Sequence, residues 1–177
     1  APVPHTYTTG APSTTKLATA LSKFGGASLS TSVSIVDGIG WSGSLATLGN
    51  SDWTAEGWFY QSASSSQHRG LFMIYSGANL PVTVYLKSRI LYAGIHFAAE
   101  SFVSFSHQTT TPLTTFTHWA LVRYNGVITL YVNGVASTAT ISASTKSLRT
   151  HDLVNISRAF DTPSSYGYGL NGYQDEF

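Results

Sequence analysis

Eight acidic side chains are the first place to look for chemistry: Asp37, Asp52, Glu56, Glu100, Asp152, Asp161, Asp175 and Glu176. Glycosidic cleavage needs two carboxyls about 5–10 Å apart, which on one strand face means an E-x-D-type run. None occurs. Asp52 and Glu56 are four residues apart, a strand distance of roughly 13 Å at about 3.3 Å per residue. Asp175 and Glu176 are adjacent, so a strand points them to opposite faces. No G-x-S-x-G elbow activates a serine. His96, His107 and His118 recur every eleven residues, with no close pair at metal spacing. His118 reads as a strand-entry residue and not as a ligand. There is no cysteine, which removes disulfide, thiolate and cysteine-metal chemistry, and no glycine-rich phosphate loop. The expectation is a protein that is not an enzyme.

Binding is the remaining chemistry. A sugar is held by an aromatic plate against its apolar face plus a few amide or carboxylate hydrogen bonds. Asp161 to Gly169 (DTPSSYGYG) has that makeup, with Tyr166 and Tyr168 between glycines and Asp161 beside them. Trp41, in the glycine-rich run from Gly40 to Asn50, is a second candidate plate. The same tyrosines could instead seal the rim of a sandwich. Asn155-Ile156-Ser157 is a glycosylation sequon, but it falls inside an apolar strand pattern.

Composition narrows the setting. The chain has 177 residues, 42% of them hydrophobic and only 10% charged, with a net charge of +1. Ser and Thr make up about a quarter of it, well above ordinary usage. A neutral, hydroxyl-rich surface with no basic run excludes nucleic acid and anionic membrane as partners. No apolar run approaches the ~18 residues of a membrane span. This composition is common in extracellular and virion β-proteins, and a first residue other than Met suggests processing or excision from something longer.

The elements that must position these residues are strands. Phe116 to Ser137 (FTHWALVRYNGVITLYVNGVAS) carries two Asn-Gly pairs, the preferred two-residue hairpin turns. With Asn125-Gly126 as the loop, Tyr124 pairs with Val127, Arg123 with Ile128, Leu121 with Leu130 and Trp119 with Val132. Trp119, Leu121, Ile128, Leu130 and Val132 then form a core face, with Arg123 reaching water near the turn. Trp53 to Tyr60 (WTAEGWFY) has aromatics on both faces, which predicts an inner strand covered on both sides. Further strands are expected at Arg69–Tyr75, Val82–Lys87, Ile90–Phe97, Phe102–Ser106, Leu153–Ile156 and from Asn171, with a hairpin at Asp37-Gly38. Lys16–Lys23 allows one helical turn and no more. Residues 1–16, rich in Pro and Thr, read as an arm or linker, and 17–177 as one domain. Ten or more short strands predict an all-β, two-sheet antiparallel β-sandwich.

Four phrases in order carry a resemblance: Phe24-Gly25-Gly26-Ala27-Ser28-Leu29, Ser51 to Phe59 (SDWTAEGWF), the meander from Phe116 to Gly134, and Asn171 to Phe177 (NGYQDEF). Together they resemble the laminin-G-like, concanavalin A-like lectin/glucanase jelly rolls. The resemblance implies a non-catalytic structural or adhesive module of a virion, of the kind appended to bacteriophage tail, fibre and capsid proteins, with other virion subunits as partners in an oligomeric assembly and glycans as an additional surface contact. It leaves a lectin of a secreted or cell-surface protein as the alternative, and a degenerate glycoside hydrolase behind both. No cofactor is required, but a structural calcium is the ion such folds take, with Asp175 the implied ligand and carbonyls near Gly25-Gly26 as helpers. The alternative for Asp175 is to accept hydrogen bonds from backbone amides of the entry segment. The family's F-D-G phrase is displaced here, and its last strand normally runs past Phe177. An incomplete final strand would leave an open pairing edge. The meander itself is expected to name the fold and leave the chemistry to the loops.

Overall fold

A computed structural model describes residues 6–8, 16–32, 39–42, 48–76, 79–149, 153–157, 160–162, 165–166 and 168–176. The strands are β1 (Thr6–Thr8), β2 (Lys16–Ala18), β3 (Ser28–Thr31), β4 (Ile39–Ser42), β5 (Trp53–Gln61) and β6 (Arg69–Ser76). They continue as β7 (Asn79–Lys87), β8 (Ile90–Ile95), β9 (Val103–Thr110), β10 (Phe116–Tyr124), β11 (Val127–Val132) and β12 (Val135–Ser142). The last are β13 (Leu153–Ile156), β14 (Phe160–Thr162), β15 (Ser165–Tyr166), β16 (Tyr168–Gly169) and β17 (Gly172–Asp175). No helix occurs among the described residues; the segment that allowed a helical turn supplies β2 instead. The expected hairpin at Asp37-Gly38 lies outside the described residues.

Two antiparallel sheets face each other. One runs β1-β4-β13-β6-β7-β8-β9, with β16 alongside β6; the other runs β12-β11-β10-β5-β17-β3-β2, and β14 with β15 forms a separate ribbon. The fold is thus the two-sheet β-sandwich that the strand pattern predicts. The meander keeps its predicted register from Trp119↔Val132 to Tyr124↔Val127. Both Asn-Gly turns hold positive φ at both positions, 48° and 74° at Asn125-Gly126 and 48° and 79° at Asn133-Gly134, as a type I′ turn demands. The core fills the space between the sheets with Phe59, Trp119, Leu121 and Leu130 from one side and Leu71, Val82, Leu86 and Ile95 from the other. Phe72 and Trp119 meet across it, ring centroids 5.8 Å apart.

Four sequence expectations are corrected here. The final strand is not an edge. β17 lies between β5 and β3 and pairs with both, so the open edges belong to β1, β2, β9 and β12. Gly172 is what lets it in, because a Cβ there would sit 1.8 Å from the Tyr60 carbonyl oxygen. The arm read over residues 1–16 contributes β1 to one sheet, where it pairs with β4. Arg123 does not reach water: it is 1% exposed, its guanidinium donating to the Ala143 carbonyl at 2.6 Å and to that of Gly49 at 3.3 Å. The segments that carry these carbonyls fold over the hairpin end and close it.

The fourth correction decides where a site can be. β5 is not covered on both faces; the doubly covered strand is β7, buried throughout residues 80–86. On its sheet's outer side, β14 lies against β7, and the Phe102 ring sits where a Cβ on Gly94 would be. Met73, Thr83 and Asn155 on that side are buried as a result. The sequon asparagine is 6% exposed, in a strand paired on both sides, so it is no acceptor in the folded chain. One corner of the sandwich is stitched by side chains: His107 Nε2 lies 3.1 Å from the Val135 carbonyl, and Gln108 bonds Ala136 and Thr138. No described element covers the outer face of the other sheet.

Candidate functional site

Alternation decides what that open face carries. Phe59 and Trp119 are core residues, so their neighbours Trp58, Tyr60 and His118 point outward. β10 pairs with β5 so that His118 lies opposite Trp58 and Ala120 opposite Glu56. β17 sets Asp175 opposite Trp58 on the far side. Around this centre a cavity of about 410 Å³ is lined by Glu56, Trp58, His118, Asn133 and Glu176.

Its geometry follows from local chemistry. The second Asn-Gly turn brings Asn133 back over β10, where its side-chain oxygen accepts the His118 backbone N–H at 2.9 Å. That bond fixes the amide, and its NH₂ group remains to donate elsewhere. His118 Nε2 stands 3.3 Å from a Glu56 carboxylate oxygen, the Glu56 side chain being 60% exposed. The His118 and Trp58 rings lie 5.1 Å apart at 53°. On the other flank Phe24 meets Trp58 edge-on at 5.8 Å, and the Lys23 ammonium stands 4.5 Å from the indole centroid.

Asp175 holds that flank in place. Its Oδ2 accepts the backbone N–H groups of Lys23 (2.7 Å) and Phe24 (3.0 Å), and its Oδ1 accepts that of Glu176 (3.0 Å). Calcium needs six to eight oxygen ligands, whereas this carboxylate faces amide hydrogens. Among the described residues no cluster of three His, Cys, Asp or Glu gathers for a metal. The residues at Asp175 therefore do not fit a calcium ion; they fit an anchor for the entry segment. Asp175→Asn turns an NH₂ toward amide donors and loses charge-assisted bonds. A destabilisation of about 2 kcal/mol is expected, seen as a fall of roughly 4–8 °C in thermal midpoint.

The residues first singled out for sugar binding lie away from this face, Trp41 and Tyr168 on the other sheet and Asp161 and Tyr166 in the β14–β15 ribbon. Trp41 pairs with Val154 in β13, which pairs with Ile74 of β6. Tyr168 pairs with Arg69, five residues earlier on β6, or about 17 Å along the strand. Tyr166 pairs with Phe160 beside Asp161 in the β14–β15 ribbon. The side chains of Trp41, Asp161 and Tyr166 lie outside what the structure describes. The Tyr168 ring lies under Arg69, whose guanidinium carbon is 5.2 Å from its centroid. Burial lowers the Arg69 pKa, with Tyr168 acting in the opposite direction. Tyr168 thus packs against a buried arginine at the sandwich end. Trp58, Glu56, His118 and Asn133 were missed because their meeting depends on the β5–β10 pairing, although strand parity alone marks Trp58 and His118 as outward.

A second basin lies at the sandwich rim, lined in part by His96, Glu100, Val103 and Arg149. Burial, and then the Arg149 charge, lower the His96 pKa against a hydrogen bond to the Glu100 backbone that raises it. The fold therefore favours neutral His96, whereas the unfolded chain takes up a proton near the ordinary value of about 6.5. Its contribution to stability is present above that pH and is lost as pH falls from there through the folded-state pKa. Urea unfolding between pH 8 and 5 is expected to show this loss, with a shallower slope in His96→Gln.

Comparison with known proteins agrees with the fold. The Laminin_G_3 family model, described as the concanavalin A-like lectin/glucanases superfamily, matches residues 36–177. The chain belongs to that family. Among solved structures it is similar to the binding domain of Paraclostridial Mosquitocidal Protein 1, at 10% identity and TM-score 0.72 over 98% of this chain and 43% of that one. It is similar to the botulinum neurotoxin serotype D ligand binding domain in complex with N-acetylneuraminic acid, at 10% identity and TM-score 0.64, covering 86% of this chain and 37% of that one. Domain 4 of AbnA, a GH43 extracellular arabinanase from Geobacillus stearothermophilus in complex with arabinotriose, matches at 16% identity and TM-score 0.62, over 97% and 79%. The chain spans less than half the length of the toxin domains it matches. Among curated proteins nothing matches.

Proposed function

We propose that this chain is a non-catalytic carbohydrate-binding module that holds neutral sugars on the open sheet face. One observation carries the reading: a half-buried Trp58 indole on that face, ringed by Glu56, His118, Asn133 and Glu176 around a cavity of about 410 Å³. The volume is within the range of small-molecule sites, about 300–1,000 Å³. Two carboxylates accept from sugar hydroxyls, the Asn133 amide donates, and the indole stacks on the apolar ring face. Two carboxylates against the single Lys23 ammonium disfavour acidic sugars, which sets this site apart from the sialic acid named for the neurotoxin domain. The similarity to toxin binding domains and to a sugar-complexed arabinanase domain supports binding over catalysis. The exposed Glu56 carboxyl supports it too, since a general acid is a carboxyl withdrawn from water. An extracellular or virion-borne setting, with the module displayed on a larger assembly, is our reading of the low charge and high Ser and Thr content; the extracellular arabinanase domain supports its first half.

A glycan array tests this. Saturable binding to a neutral glycan, kept by Tyr168→Ala and lost in His118→Ala/Asn133→Ala, is the expected result. An array with no saturable neutral binder, or one on which only Tyr168→Ala loses signal, would overturn it.

A further inference from the structure

We infer that the site continues along β5 onto a second aromatic row, Phe116–Tyr60–Tyr173, and takes a linear chain of at least two neutral sugar units. This rests on the carbohydrate reading above and extends it. Tyr60 is two residues beyond Trp58 on the same outward face, about 7 Å away along the strand, a step on the scale of one sugar unit. β10 sets Phe116 opposite Tyr60, and β17 sets Tyr173 opposite it on the other side. The ring centroids lie 5.5 Å and 5.8 Å from that of Tyr60, so three aromatics form a row across three strands. All three are half-buried, and no described element packs on top of them.

The contrast with the opposite sheet gives the row its meaning. There the outer side is covered by β14 and Phe102 and reads as interior. Here the aromatics stay partly in water, one outward position along β5 from Trp58. The chemistry of the two rows also differs. The first carries carboxylates, an imidazole and an ammonium; the second carries no charge but two phenol hydroxyls. Beyond it the strand ends at Gln61, whose carbonyl accepts the Thr114 N–H at 3.0 Å. That bond brings the exposed hydroxyl residues Thr115 and Ser62 to the end of the row. A neutral chain laid along β5 meets apolar ring faces first and hydroxyl partners last.

Titration calorimetry with arabino-, xylo- and cello-oligosaccharides of one to four units reads this directly. In a series that binds, the association constant is expected to rise at least tenfold from one unit to three. Tyr173→Ala and, separately, Phe116→Ala are expected to remove that increment while leaving single-unit affinity within twofold. Both variants are checked for native circular dichroism, so that one unfolding leaves the other to decide. Binding that is independent of chain length, or an increment that survives both substitutions, would overturn the second row while leaving the Trp58 site standing. Absence of binding in every series would overturn the carbohydrate reading and this extension together.

Discussion

Trp58→Ala is expected to lower affinity for a neutral glycan by about 30- to 150-fold, equivalent to roughly 2–3 kcal/mol, with the chain still folded. The loss is large because, among the described residues, the indole is the only large ring lining the cavity; the polar groups around it orient a sugar without desolvating its apolar face. The cost to stability is smaller. Trp58 is half-buried, unlike Trp119, so its removal opens no closed void of the kind that makes core tryptophans cost about 3–5 kcal/mol. It also frees Lys23, whose exposed cation–π contact is worth about 0.5–1 kcal/mol. That weak hold matters to the mechanism, because a long side chain over the indole can swing aside for a sugar and then donate to its hydroxyls. Isothermal titration with the best array ligand, alongside a thermal melt, separates the two effects. Affinity within threefold of the parent, in a variant whose midpoint is unchanged, would remove Trp58 from the site.

The fold was legible wherever a local signal dictated it. Asn125-Gly126 fixed the meander's register because a two-residue type I′ loop leaves only one pairing, and Leu153 to Ile156 announced itself as a short apolar run. The misreadings share a cause in partners far away in sequence. Arg123 near a turn looks like a snorkelling side chain, and nothing nearby in the chain shows that the carbonyl of Gly49 will come to meet it. β17 looks like an unfinished edge, because its two neighbours, β3 and β5, come from the opposite end of the chain. The site shares that difficulty. The Asp161–Gly169 loop has the composition of a sugar plate, and composition cannot reveal that the Tyr168 ring is turned under Arg69. Conversely, Trp58 and His118 sit in ordinary family phrases. Only the pairing of β5 with β10, and the reach of Asn133 back to His118, bring them together. The meander therefore contributes two of the five residues that line the candidate site, as well as the fold.

Arg123→Ala is expected to destabilise the chain by about 3–5 kcal/mol, the largest stability effect predicted here. The guanidinium is an enclosed cation whose burial lowers its pKa, with Asp52 acting to raise it. Asp52 is itself engaged at the same turn, its carboxylate accepting the Asn125 N–H at 3.0 Å. Truncation does three things at once. It empties the volume of a long side chain, removes the charged donor from the Ala143 and Gly49 carbonyls, which keep only the backbone N–H groups of Lys146 (3.1 Å) and Leu148 (3.0 Å), and leaves the Asp52 carboxylate without its nearby positive charge. Arg123→Met separates these terms because it keeps most of the volume and removes the donors. Its cost is expected to be about 2 kcal/mol, the loss of hydrogen bonds donated by a charged group. Chemical denaturation of the two variants at one pH gives the comparison. Equal losses would mean that filling the volume contributes nothing and the guanidinium's hydrogen bonds everything. A loss below about 1 kcal/mol in Arg123→Ala would mean that water enters and serves the carbonyls, so that the hairpin end is open in solution. The expected ordering, Ala well below Met and Met below the parent, instead makes Arg123 the pin that joins the first Asn-Gly turn to the two segments folded over it. That pin holds the far end of β10, five residues from His118, in the register the site requires.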